Sequence, residues 1–238
     1  MLCPPTGWRL MASPGSGAIA ALLLLTAASV ANAEAFPDVK TPDGMQTAMV
    51  SSRMVYNGNE MQDQIFTVKT SVADTLAFYR QLWGKASVVT SFNGAQIVAH
   101  KQGGYFITVE IRQDGSGSKG TIGVLKLPTG NEKPQLGSGV PVPENSAVFN
   151  DIQYPDDATP ARTIALRNML SLRQNASYYR EHLIGSGWKP TPMDTCTDAS
   201  ASCVMDFENG DKKITLALTS QGSTSRVVIN MLGPGVTQ

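Results

Sequence analysis

Two stretches of this chain place an apolar side chain at every helical turn. Val72, Leu76, Tyr79 and Trp83 form the first stripe, and Leu172, Ala176, Tyr179 and Leu183 the second. Spacing at i, i+4, i+7 and i+11 puts one face of a helix on a core. A serine stands in front of each stripe. Ser71 opens Ser-Val-Ala-Asp, and Ser171 opens Ser-Leu-Arg-Gln. A serine hydroxyl at that position accepts from the free amides of the first turn. Gln174 can close a capping box by reaching back to the Ser171 amide. Gly84 and Gly185 are the expected stops.

Elsewhere the period changes to two, the signature of strands with one buried face. Tyr105, Ile107, Val109 and Ile111 recur at every second position and so share one face, as do Ile214, Leu216 and Leu218. Further strands are expected at Thr121–Leu127 and Arg226–Leu232, and before the helices at Gln64–Lys69 and Arg162–Arg167. Gln102-Gly103-Gly104, Asp114-Gly115, Asn209-Gly210-Asp211 and Gln221-Gly222-Ser223 are the turn signals between them.

The two helical stretches align at an offset of 100 residues, which puts Ser71 on Ser171, Tyr79 on Tyr179 and Arg80 on Arg180. Together with the order of elements, this predicts an α+β fold of two tandem β-β-α-β-β-β-β modules related by a pseudo-twofold duplication. Each would be an antiparallel sheet packed on one helix. The modules would span 51–127 and 145–233, with an N-terminal arm over 34–50 and a C-terminal tail over 234–238. Residues 128–144 hold four prolines and three glycines with little apolar periodicity, and read as a linker.

The N-terminus reads differently. Arg9 is followed by an apolar run from Ala18 to Val30 and then by Ala31-Asn32-Ala33. The run is too short and too interrupted for a membrane span, and it ends on a small-x-small site. A signal peptide over 1–33, cut between Ala33 and Glu34, is therefore expected, with the periplasm or the outside as destination. Cys3 falls inside it. That leaves Cys196 and Cys203, an even count that predicts one disulfide in an oxidising compartment.

Charge and motifs narrow the chemistry. Lys and Arg number 19 and Asp and Glu 19, with no basic stripe, so nucleic acid is not an expected partner. Gly115–Gly120 has the G-x-G-x-x-G spacing, but strands are predicted on both sides where a phosphate site needs a helix. Ser116-x-x-Lys119 lies in the same hairpin and lacks the helical start that would hold its lysine. Asp194, Asp198, Asp206, Glu208 and Asp211 do not follow the ligand order of a calcium loop, and Asp156-Asp157 reads as a turn. Asn175 heads an N-x-S sequon in mid-helix. Arg80 and Arg180 are a candidate paired surface site. No catalytic, metal or cofactor residue is expected. The leading expectation is a soluble, exported, non-enzymatic protein that binds or assembles another cell-envelope component. One alternative is a carrier of an apolar ligand in a pocket between helix and sheet, lined by Phe66, Tyr105, Ile107 and Val109. Another is a hydrolase using His100 or His182.

Overall fold

The computed structural model describes residues 35–51, 53–130, 133–197 and 200–237. In chain order the strands are β1 (Gln46–Met49), β2 (Met54–Tyr56) and β3 (Asn59–Val68), followed by helix α1 (Val72–Trp83). A short 3-10 turn, Gly84–Ala86, leads to β4 (Val88–Phe92), β5 (Ala95–Gln102), β6 (Tyr105–Asp114) and β7 (Gly117–Lys126). Then come β8 (Ala147–Tyr154), β9 (Ala161–Asn168), helix α2 (Leu172–Gly185), β10 (Lys189–Asp194), β11 (Ser202–Asn209), β12 (Lys212–Gln221) and β13 (Thr224–Leu232).

The helices start where local chemistry dictates. The Ser71 hydroxyl accepts from the Asp74 amide. Ser171 and Gln174 form the full capping box. Gly84 stops α1 with φ at +55°, in the left-handed region that a side chain disfavours.

The expectation of two α+β modules, each with its own sheet, is not met. All thirteen strands belong to one sheet, ordered β10-β11-β12-β13-β9-β8-β2-β3-β7-β6-β5-β4, with β1 alongside β3. Every pairing in it is antiparallel. The described residues thus form mainly antiparallel sheet with two short helices. The physical reason lies at β2 and β8. A sheet ending at either strand would expose a row of unpaired amides and carbonyls. Here the two strands satisfy one another, Val55 opposite Gln153 and Tyr56 opposite Ile152.

The seam is reinforced beyond these two pairs. The Asn57 amide donates to the Asp151 carbonyl, and the Asp151 amide donates back to Asn57 Oδ1. Tyr56 Oη donates to Asn150 Oδ1, and Ser51 Oγ to Asp157 Oδ1. The Asp151 carboxylate is buried and takes a forked contact from Arg162 Nε and Nη2 at 2.9 and 2.7 Å. Gly137 N–H donates to the same carboxylate, and Arg162 Nη1 donates to the Ser138 carbonyl. Burial alone would raise the Asp151 carboxyl. The guanidinium and the Gly137 amide outweigh burial and hold it below its ordinary range.

The register carries one face continuously through the seam, so both helices lie on that face. Under α1, Tyr79 packs with Phe66, Val98, Val109, Ile111 and Ile122. Under α2, Leu172, Ala176, Tyr179 and Leu183 pack with Ile164, Leu166, Phe207 and Leu216. Each fully buried aliphatic of this kind stabilises the fold by about 1.5–3 kcal/mol. Phe36 and Val39 pack on Tyr105, Ile107 and Val124, while Val140, Val142 and Val236 pack on the α2 core. The opposite face of the sheet carries no helix among the described residues.

Candidate functional site

The two ends of the sheet differ. At one end, α1 stops at Gly84 and the 3-10 turn redirects the chain, held by the Ser87 amide and hydroxyl on the Gly84 carbonyl. The chain then enters β4, whose five residues, Val-Val-Thr-Ser-Phe, are all exposed. Among the described residues β4 pairs with β5 alone, from Val88 opposite Ala99 to Phe92 opposite Ala95. The hairpin between them closes on Asn93-Gly94, with φ at +46° and +78°, as a two-residue primed turn requires.

This turn settles which backbone groups are spoken for. Residues flanking a two-residue turn exchange both hydrogen bonds, so Phe92 and Ala95 form a bonded pair. Alternation then points the amides and carbonyls of Thr90 and Val88 toward β5 as well. Those of Val89 and Ser91 point outward, with no strand among the described residues to receive them. The side chains divide by face. Val89 opposes Val98, which lies in the core beneath α1, so Val89 and Ser91 are on the helix face. Val88, Thr90 and Phe92 are on the open face, with Val88 68% and Phe92 63% exposed.

Beside Val89 is an open depression of about 780 Å³ lined by Ala77, Arg80, Gln81, Gly84, Lys85 and Ser87. Its lining carries two cations and no carboxylate.

The opposite end is closed. β10 has Pro190 and Pro192, which have no N–H to offer, and Lys189 at its start. Its register with β11 shifts between Pro190 and Asp194. Arg180 grips Asp194 with a forked contact at 2.8 and 3.0 Å, tying α2 to the end of this strand. Arg80 and Arg180 thus sit in unlike settings, one beside an open strand and the other engaged by a carboxylate.

The other candidates fall as follows. Cys196 and Cys203 form a disulfide that joins the loop after β10 to β11. Ala33, Glu34 and the segment 1–33 lie outside the described residues, as does Asp198. His100 is stacked on Trp83, with Nδ1 buried and unpartnered. His182 stacks on Tyr178 and places Nδ1 2.8 Å from its carbonyl. Neither ring bonds a carboxylate among the described residues. Gly115–Gly120 is the β6–β7 hairpin. There Gly120 leaves no room for a Cβ against the Glu110 carbonyl and the Phe66 ring, so packing accounts for it. Asp206 pairs with Lys213 at 2.8 Å. Phe66, Tyr105, Ile107 and Val109 are buried core residues. Among the described residues no cluster of three or more His, Cys, Asp or Glu could hold a metal ion, and no helix is long and apolar enough to cross a membrane.

Sequence reading overlooked the β4 edge. A signal for its hairpin was present in Asn93-Gly94, and a second Asn-Gly, Asn57-Gly58, turns the chain at the seam with φ at +48° and +79°. Asn-Gly is the strongest short hairpin signal. No protein-family model matches the chain, and neither does any curated protein or solved structure.

Proposed function

We propose that this is an exported, non-enzymatic binding or assembly protein that acts on another cell-envelope component by strand addition. The observation that carries this reading is the β4 edge. It is exposed along its length, free of proline and charge, and presents the backbone of Val89 and Ser91, which no strand pairs among the described residues. Soluble proteins normally blunt such an edge, and this chain does so at β10. An edge left open is a docking element, because a partner's backbone satisfies it and alternate side chains supply specificity. The Cys196–Cys203 disulfide suits the oxidising compartment that the N-terminal sequence implies. The carrier reading has no comparable support, since its four lining residues are packed in cores.

A photo-crosslinking amino acid placed at Phe92 or at Met193 in living cells tests this reading. Capture of a discrete product at Phe92, its absence at Met193, and its loss on Val89→Pro with Ser91→Pro are the expected results. Equal capture at both edges, or capture that survives the prolines, would overturn it. Because Val89 and Ser91 point their amides outward, these prolines remove no bond to β5 and leave the hairpin intact.

A further inference from the structure

The surroundings of β4 specify what kind of strand it accepts. We infer that the partner is an extended polypeptide segment alternating apolar and acidic residues, its apolar side chains on the open face and its carboxylates toward Arg80 and Lys85. This rests on the strand-addition reading and deepens it.

The argument is one of register and charge. A strand added to β4 alternates faces in step with it. Residues opposite Val88, Thr90 and Phe92 project onto the open face. There they meet Val88 and Phe92, with Ile97 and Ala99 of β5 in the adjoining row. Apolar or β-branched side chains pair best with such neighbours. Residues opposite Val89 and Ser91 project onto the helix face instead. The residue opposite Val89 arrives at the depression lined by Arg80 and Lys85. A carboxylate is attracted there, and a lysine or arginine is repelled.

A second copy of this chain fits less well. Antiparallel pairing of β4 on β4, centred on Thr90, would set Ser91 of the copy opposite Val89. It would bring no carboxylate to the cations. Addition of β4 to another copy's β10 meets two prolines.

The test uses the mature chain with its disulfide intact and three fluorescently labelled peptides of equal length, alternating Val with Glu, with Thr or with Lys. Anisotropy should rank them Glu, then Thr, then Lys, with about a tenfold gap between Glu and Lys at low salt, since exposed charge contacts are individually weak. The gap should shrink as salt is raised. Arg80→Glu with Lys85→Glu should invert the ranking, circular dichroism confirming the fold. Val89→Pro with Ser91→Pro should abolish binding of all three. Equal affinity for the three peptides, all lost with the prolines, would overturn the acidic preference and leave strand addition standing. Binding that ignores both the charge and the proline variants would sink both. Self-association in sedimentation, removed by the prolines, would replace the acidic segment with a second copy.

Discussion

Asp63 offers a quantitative test of the central sheet. It lies on β3 opposite Gly123, on the face without helices. Its Oδ1 is buried and has no hydrogen-bond partner. Burial, joined by the Glu110 charge, pushes its carboxyl up from 3.8 to about 6 against the pull of a backbone hydrogen bond at Gln64. Across the seam, burial raises the Tyr154 hydroxyl, and the charges of Asp63 and Asp157 add to it. A rise of two units corresponds to about 3 kcal/mol at 1.36 kcal/mol per unit. Asp63 keeps partial contact with solvent, which reduces this to about 1–2 kcal/mol.

The sign follows from the raised value. The folded state prefers the neutral carboxyl, so the group stabilises the fold fully below pH 3.8. That stabilisation is lost as pH rises through about 6. Asp63→Asn keeps the shape and removes the titration. Urea unfolding of both proteins at pH 4 and pH 8 should show near-equality at the lower pH. At the higher pH the variant should be more stable by about 1–2 kcal/mol. A difference that does not change with pH, or a variant less stable than the parent at pH 8, would refute the reasoning. Asp151 and Asp206 do not confuse the result. Their carboxyls are held low, so their contributions are present above pH 3.8 and fade only below it. They also cancel in the comparison.

Three further outcomes are expected. Asp151→Asn removes the charge that balances buried Arg162 and should cost about 3–5 kcal/mol, read as a lower urea midpoint. Tyr179→Phe should leave stability unchanged or raise it by about 1 kcal/mol in thermal melts, because the Tyr179 hydroxyl is buried without a partner. Reduction of Cys196–Cys203 opens a short loop and should cost roughly 2–3 kcal/mol, seen as a lower melting temperature with reductant and no change in a Cys196→Ser, Cys203→Ser variant.

What the sequence disclosed was local. Ser71, Ser171 and Gln174 cap their helices within three residues of themselves, and the alternation of Tyr105 to Ile111 records a buried face that any pairing must respect. The seam was hidden because it is not local. β2 has only three residues, and the β8 residues it pairs with, Ile152 and Gln153, lie nearly a hundred positions beyond Val55 and Tyr56. Proline and glycine content in 128–144 reports turns but not what anchors them. Gly137 and Ser138 are fixed by Asp151 and Arg162, and Val140 and Val142 pack on the α2 core. Asp151 gave no warning either, since a carboxylate in a strand becomes a buried charge only once its cation is placed beside it.

The edges show the same division between composition and placement. Val88–Phe92 has the residues of a buried strand: β-branched, aromatic, uncharged. Nothing in those five letters says that no strand lies beyond them; that follows from the strand order. Pro190 and Pro192 are more informative, because within a strand proline is confined to edges, first positions and bulges, and two in one short strand point to an edge. The two observations gain meaning together. Joining β2 to β8 removes two edges and leaves β10 and β4 at the ends of the strand order, with the four-residue β1 lying beside β3 off that path. One of these carries prolines, a register shift and a helix tied to its end. If exposure at the other were only the unavoidable end of a sheet, the same devices would be expected there. Their absence from β4, beside a depression whose lining carries two cations and no carboxylate, is what favours β4 over β10 as the docking edge proposed above.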